Sequence, residues 1–445
     1  MVDNASAPET VQPKRAGLRR HRDFGRLWFG DTVSQFGTQV TVLAIPLTAV
    51  LYLNASRGEV GVLTALEFVG FLIIGLPAGA WCDRWRRRPV MIAADLARFL
   101  LLLSIPVAAW AHALTIWQLF TVVLLVSVAT VFFDVAYQSY LPALVDTDDL
   151  TEGNAKLQGS AAVAMVAGPS IAGFLIQLVR APIAIVVDAA SFAISALSVA
   201  SIGKPEETPA RPESRRLRAE IAEGLEVVRS QPVLRTFAAA NATLNFFMAA
   251  FSAVVIVFLA RTLRLSPGMI GVLMTVGSVG GLVGAVLTSA MSRRFGQART
   301  AWVPLAIGCP IGLLIPLADR GPRLALFIVG WFAFSFAITV YNIAGVTLRQ
   351  TLCPPELLGR MNATMRFLCV GAMPVGALIG GALDAKFGPR TSLWATQIGL
   401  LAVPLILLAS PLRGGGDILP PAVADVPGQG DGVSDHSAAA EVSTA

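Results

Sequence analysis

The chain has 445 residues, of which 55% are hydrophobic and only 14% charged, with a formal net charge of +6. Soluble domains carry about 25% charged residues, and here the charges gather in short stretches between long apolar runs. That pattern excludes a soluble enzyme and removes the basic balance as a nucleic-acid signal. A bilayer core of ~30 Å takes about 20 apolar residues per helix, so the runs describe a polytopic membrane protein.

Residues 1–23 are polar and basic and lack the apolar stretch and cleavage site of a signal peptide. They are read as a cytoplasmic N-terminal segment. Apolar runs follow at 24–53, 59–82, 89–110, 115–138, 156–178, 182–202, 233–259, 268–291, 300–318, 324–347, 361–383 and 390–411. Helix is the required state, because a lipid-facing backbone must satisfy its own hydrogen bonds. Six runs form an N-terminal bundle over 24–202 and six a C-terminal bundle over 233–411.

Deep carboxylates are costly in a membrane and mark pathways, proton relays or ion pairs. In the first span, Asp31 lies about 10 Å in, at 1.5 Å per residue. Gln35 and Thr38 follow it on one helical face, a polar stripe suited to a substrate path. Glu67 sits near the middle of the second span, Asp134 in the fourth and Asp188 in the sixth. Asp95 and Arg98, one turn apart in the third, are expected to pair with each other. Asp31, Glu67 and Asp134 are the candidates for proton coupling; a purely structural role is the competing reading. The second half has almost no deep acid, and its polarity comes from Asn241, Asn245 and Asn342. Phe246, Phe247 and Phe251 on the seventh span face either a cavity or lipid.

Orientation follows from the basic residues. Arg15, Arg19, Arg20, the cluster Arg84 to Arg88, Arg215, Arg216, Arg293, Arg294 and Arg360 fall on one side, and the opposite loops are sparser. The positive-inside bias puts both termini in the cytoplasm. The linker over 203–232 contains Leu217, Ile221, Leu225 and Val228 at helical spacing, expected as an amphipathic surface helix. The tail over 412–445 is rich in Gly, Pro and Asp and is expected to be a disordered cytoplasmic segment. The cysteines Cys82, Cys309, Cys353 and Cys369 lack metal-ligand spacing, so buried thiols are expected and no metal or cofactor.

The two halves are related. Leu150 and Asn154 before the fifth span recur as Leu358 and Asn362 before the eleventh, and Gly173 recurs at the same offset as Gly381. The loop Asp83-Arg84-Trp85-Arg86 is echoed by Arg293-Arg294-Phe295-Gly296. Such internal repeats are a property of secondary transporters.

Three motifs carry a family resemblance. Gly79-Ala-Trp-Cys-Asp83-Arg84-Trp-Arg86-Arg87-Arg88 resembles the cytoplasmic signature of the major facilitator superfamily, with Arg86 where Gly is usual. Gly168-Pro169-Ser-Ile-Ala-Gly173 resembles the fifth-span motif of its antiporter branch, with Ala172 replacing a Gly. Val187-Asp188-Ala-Ala-Ser191-Phe192, with Pro142 to Val145, resembles bacterial macrolide and siderophore exporters.

The resemblance implies an all-α fold of 12 transmembrane helices in two pseudo-symmetric six-helix bundles. It also implies a monomeric inner-membrane exporter of amphipathic small molecules, working by alternating access with proton antiport. Gly79, Asp83, Arg84, Arg87 and Arg88 would form a gate, with Asp83 latching onto the start of span eleven. The competing reading of the arginines is topological anchoring. Gly168, Pro169 and Gly173 would form a tightly packed pivot. Uptake by the same fold and a non-transporting sensor or scaffold are the alternatives. No Walker A loop, H-E-x-x-H or Gly-x-Ser-x-Gly is present, which argues against an enzyme.

Overall fold

A computed structural model describes residues 18, 21–82, 84–146, 149–206, 226, 229–352 and 358–410. Asp83, Cys353, most of the linker helix and the C-terminal tail lie outside the described residues. Within that linker, Glu226, Arg229 and Ser230 have helical backbone.

Twelve of the described helices are long and apolar enough to cross a membrane. They are α1 (Arg22–Leu47), α2 (Arg57–Cys82), α3 (Arg87–Trp110), α4 (Ile116–Leu144), α5 (Leu150–Val179) and α6 (Ala181–Ala200) in the first half. The second half has α7 (Pro232–Val257), α8 (Pro267–Phe295), α9 (Gln297–Gly312), α10 (Leu324–Leu352), α11 (Leu358–Phe387) and α12 (Pro389–Leu400, continued by Ala402–Leu408). Local chemistry sets several starts. Ser56 Oγ accepts from Glu59 N at 3.3 Å while Ser56 N donates to Glu59 Oε2 at 2.6 Å, a reciprocal capping box opening α2. Thr115 and Ser266 cap α4 and α8 with their hydroxyl oxygens.

The repeat is carried by backbone geometry more clearly than by side chains. Both α1 and α7 end in a five-residue π turn, Thr48–Tyr52 and Phe258–Thr262. Each turn is followed by one residue of positive φ, Asn54 (52°) and Arg264 (49°). The corners joining α5 to α6 and α11 to α12 turn on Arg180 (φ 71°, ψ 153°) and Gly388 (φ 84°, ψ 164°). That backbone region is open essentially to glycine alone, so Arg180 is strained where its counterpart is not. Arg180→Gly is expected to stabilise the protein by about 1 kcal/mol. A rise in the denaturation midpoint in detergent checks this; an unchanged or lower midpoint contradicts it.

Packing within the halves is equivalent. In the first half, α1 packs on α5 and α6, α2 on α4, and α3 on α4 and α6. In the second, α7 packs on α11 and α12, α8 on α10, and α9 on α10. Between halves, α2 packs on α11 and α5 on α8, again a symmetric pair. At the face opposite the N-terminus, one apolar core runs through both halves, from Val40 and Leu63 to Phe251, Leu263 and Leu273. Toward the N-terminal face the cores separate, one around Phe24, Met91 and Tyr140, another around Phe237, Phe334 and Tyr341. The halves are therefore joined at the distal face and part toward the N-terminal face. Among the described cysteines, Cys82 and Cys309 are buried and Cys369 is half-buried.

Candidate transport pathway

Two glycine-on-glycine contacts close the distal face. Gly61 of α2 meets Gly381 of α11 so closely that a Cβ on Gly61 would stand 2.5 Å from the Gly381 Cα. A Cβ on Gly173 of α5 would stand 2.9 Å from the Gly271 Cα of α8. Without side chains at these positions the two backbones can touch. Polar ties reinforce the contact. Arg261 Nη2, on the π turn after α7, donates to the carbonyls of Val50 (2.9 Å) and Ala55 (2.7 Å) in the first half. The Gln177 amide oxygen accepts from Gly268 N at 3.1 Å, and Ser170 and Thr275 hydroxyls meet at 2.7 Å. Arg57 of α2 lies 3.9 Å from Asp384 of α11, whose side chain is fully buried. The tertiary structure thus makes Asp384 a contact between the halves.

Below this closure lies a cavity of about 540 Å³ between the halves, walled by α1, α2, α5, α7, α8 and α10. Glu67 is its acidic wall residue. Around it are Met165, Met248, Met274, Phe251, Phe334 and Trp331. The Trp331 ring stacks on Phe251 at 5.1 Å and lies over Gly277, where a Cβ would collide with the indole nitrogen. That Nε1 is buried and has no hydrogen-bond partner among the described residues. Polar atoms are few and neutral apart from Glu67: Gln39, Thr64, Ser252, Ser278, Ser335 and Thr339. Binding sites for small molecules are concave and mostly apolar, with a few placed polar groups.

The other deep acids sit inside the first half. Asp95 pairs with Arg98 in α3, as the one-turn spacing leads one to expect. The Arg98 guanidinium is held between the Phe133 and Phe192 rings, at 4.3 and 4.1 Å. Asp134 and Asp188 are near enough to Arg98 to share its charge. Asp188 also accepts from the Ser191 hydroxyl at 3.0 Å. Asp31 is buried beside Gln35 and Tyr137 and feels both Asp134 and Asp95. Asp134 is exposed.

The structure thus brings Asp95, Asp134 and Asp188 together around one arginine, with Asp31 beside Asp134 and Asp95, and places Glu67 apart from them on the cavity wall. Gln35 and Thr38 lie outside the lining of that cavity, to which α1 contributes Gln39. Asn241 and Asn245 donate their amides to carbonyls one turn back in α7, Phe237 and Asn241, at 2.8 Å each. Asn342 is exposed and outside the lining. Of the three phenylalanines on α7, Phe251 walls the cavity while Phe246 and Phe247 pack edge to face at 5.0 Å. Gly168 is buried under Gln39, Pro169 walls the cavity, and Gly173 lies in the distal closure. Gly159, lower in the same helix, and Gly79 have nothing within 4 Å of a Cβ.

At the N-terminal face, Glu206 accepts from the backbone N–H groups of Arg87 and Arg88. Arg88 also donates to the Val199 and Ala200 carbonyls at the end of α6, a favourable place for a cation. Arg84 is exposed. The methionines, Trp331 and the hydroxyls of α8 and α10 were not identified from the sequence. Nothing in an apolar helix distinguishes a cavity face from a lipid face.

Two pseudo-symmetric six-helix bundles enclosing a cavity at their interface define a multi-pass membrane transporter of the secondary type. The chain belongs to the Major Facilitator Superfamily, whose family model matches residues 27–252 and 238–425. It is 25% identical over 410 residues to the multidrug efflux pump Tap of Mycobacterium tuberculosis, covering 90% of this chain and 96% of the relative. It is 22% identical over 392 residues to macrolide efflux protein A of Streptococcus pyogenes, covering 86% and 94%. Among solved structures, a point variant of the nucleoside transporter NupG superposes with a TM-score of 0.73 at 12% identity, covering 87% of this chain and 99% of that one.

Proposed function

We propose that this transporter exports amphipathic small molecules from the cell by alternating access, driven by proton antiport across the inner membrane. The observation that carries this reading is Glu67, a carboxylate set in a cavity wall of methionines and aromatic rings. Adaptable thioethers and flat rings suit substrates of varied shape. Relatives named for multidrug and macrolide efflux support the export direction.

In this reading Glu67 exchanges a proton with the cavity. Asp31 and Asp134 belong to a second proton-exchanging group inside the first half. The Trp331 ring, stacked on Phe251, offers a flat apolar wall to the substrate. The protein works as a monomer with both termini in the cytoplasm, so the closed distal face is the external one and the cavity serves the cytoplasmic side. Gly79, Asp83, Arg84, Arg87 and Arg88 act at the cytoplasmic gate, and Gly168, Pro169 and Gly173 at the pivot.

Proteoliposomes with an imposed proton gradient test the assignment, using a panel of amphipathic compounds. Glu67→Gln is expected to lower gradient-driven accumulation by about tenfold, equivalent to roughly 1.4 kcal/mol of lost coupling, while leaving gradient-independent exchange of substrate largely intact. If Glu67→Gln combined with Asp31→Asn still pumps at the parental rate, the proton assignment fails.

A further inference from the structure

Away from the central cavity, the first half carries a second hollow of about 740 Å³. It lies between α3 and α4, and its described lining comes from those two helices and the loop before α3. No described residue of the second half takes part, so it stands apart from the route between the halves. Its walls are small and apolar: Ala93, Ala97, Leu101, Leu125 and Ala129. Its mouth holds the exposed side chains of Arg84 and Arg86, and no described lining residue is acidic. Trp81, Trp85 and Phe132 stack beside the mouth, with ring centroids 6.0–6.4 Å apart. Aromatic side chains of this kind mark the level of lipid headgroups.

The dimensions fit one leaflet. From Pro89 to Leu101 the lining of α3 descends ~18 Å at 1.5 Å per residue, against a half-bilayer hydrocarbon depth of ~15 Å below the headgroups. An apolar slot one leaflet deep, with two guanidinium groups at its headgroup end, matches a ligand with an acyl chain and an anionic phosphate. We propose that this groove binds one acidic phospholipid, its chain against Ala93, Ala97 and Leu125 and its phosphate between Arg84 and Arg86.

The site is tested on the full-length protein in detergent, with phosphatidylglycerol and phosphatidylcholine of identical chains. Native mass spectrometry reads the lipid retained. The wild-type protein is expected to keep one phosphatidylglycerol in at least fivefold preference to phosphatidylcholine. Ala97→Trp fills the slot without touching the arginines and is expected to lose both lipids. Leu125→Trp, from the opposite wall, is a second filling variant should the first fail to fold. Arg84→Gln with Arg86→Gln is expected to keep a lipid but lose the headgroup preference. Equal retention of the two lipids by the wild-type protein overturns the proposal, as does unchanged phosphatidylglycerol binding in a folded filling variant. Displacement of the lipid by millimolar inorganic phosphate overturns it too, because the headgroup alone would then account for binding.

Discussion

Replacing Gly271 by leucine is expected to open the distal face and to lower transport by roughly 5- to 150-fold. A Cβ at 271 would collide with the Pro169 carbonyl and stand 3.0 Å from the Gly173 Cα. These neighbours are backbone atoms of a packed helix and cannot swing aside. The remaining escape is separation of α5 from α8, which removes the Gln177–Gly268 and Ser170–Thr275 hydrogen bonds. Overpacking of a fitted contact costs about 1–3 kcal/mol, and a shift of that size between two conformations corresponds to the stated range. Spin labels at Leu178 and Met269, both exposed, should report a longer distance in Gly271→Leu than in the parent. Gly159→Leu is the contrast: with nothing within 4 Å of its Cβ, it should leave that distance unchanged. An unaltered distance in Gly271→Leu would mean that the glycine pair does not set the closure.

Arg98→Met is expected to destabilise the first half by about 3–5 kcal/mol, the usual cost of removing one partner of a buried ion pair. The guanidinium is 5% exposed and sandwiched by Phe133 and Phe192. It is a cation that Asp95, Asp134 and Asp188 share, so its loss strands the buried Asp95 and Asp188 at once. Asp95→Asn should cost less, because Arg98 keeps Asp134 and Asp188. Asp95→Leu with Arg98→Met should recover only part of the loss, since the buried Asp188 still lacks its counter-charge. Denaturation midpoints of the three variants in one detergent give the order. Wild-type stability in Arg98→Met would show that the cluster needs no cation and would end its reading as a coupled group.

These two positions differ in how far the sequence reveals them. Asp95 and Arg98 were legible as a pair because helical spacing alone puts residues three apart side by side. That two more acids, from α4 and α6, approach the same arginine was not legible, because it depends on how those helices pack. Gly173 and Gly381 were legible as related positions in a repeat. Their actual partners, Gly271 and Gly61, were not, because each contact crosses from one half to the other.

The amino-acid sequence by itself determined the twelve spans and their division into two related bundles. Long apolar runs oblige a backbone in lipid to form helices, and a repeat preserves the order of those helices. Motifs at the second-span loop and the fifth span were enough to indicate the superfamily. Only the tertiary structure decided which face of each helix meets the other half, a cavity or lipid. It put Glu67 on the cavity wall, made Asp384 a contact between halves, and turned the amides of Asn241 and Asn245 back onto their own helix. The reason is that hydropathy no longer separates inside from outside once the solvent is hydrocarbon. A leucine facing lipid and a methionine facing substrate are equally apolar, and helix packing alone tells them apart.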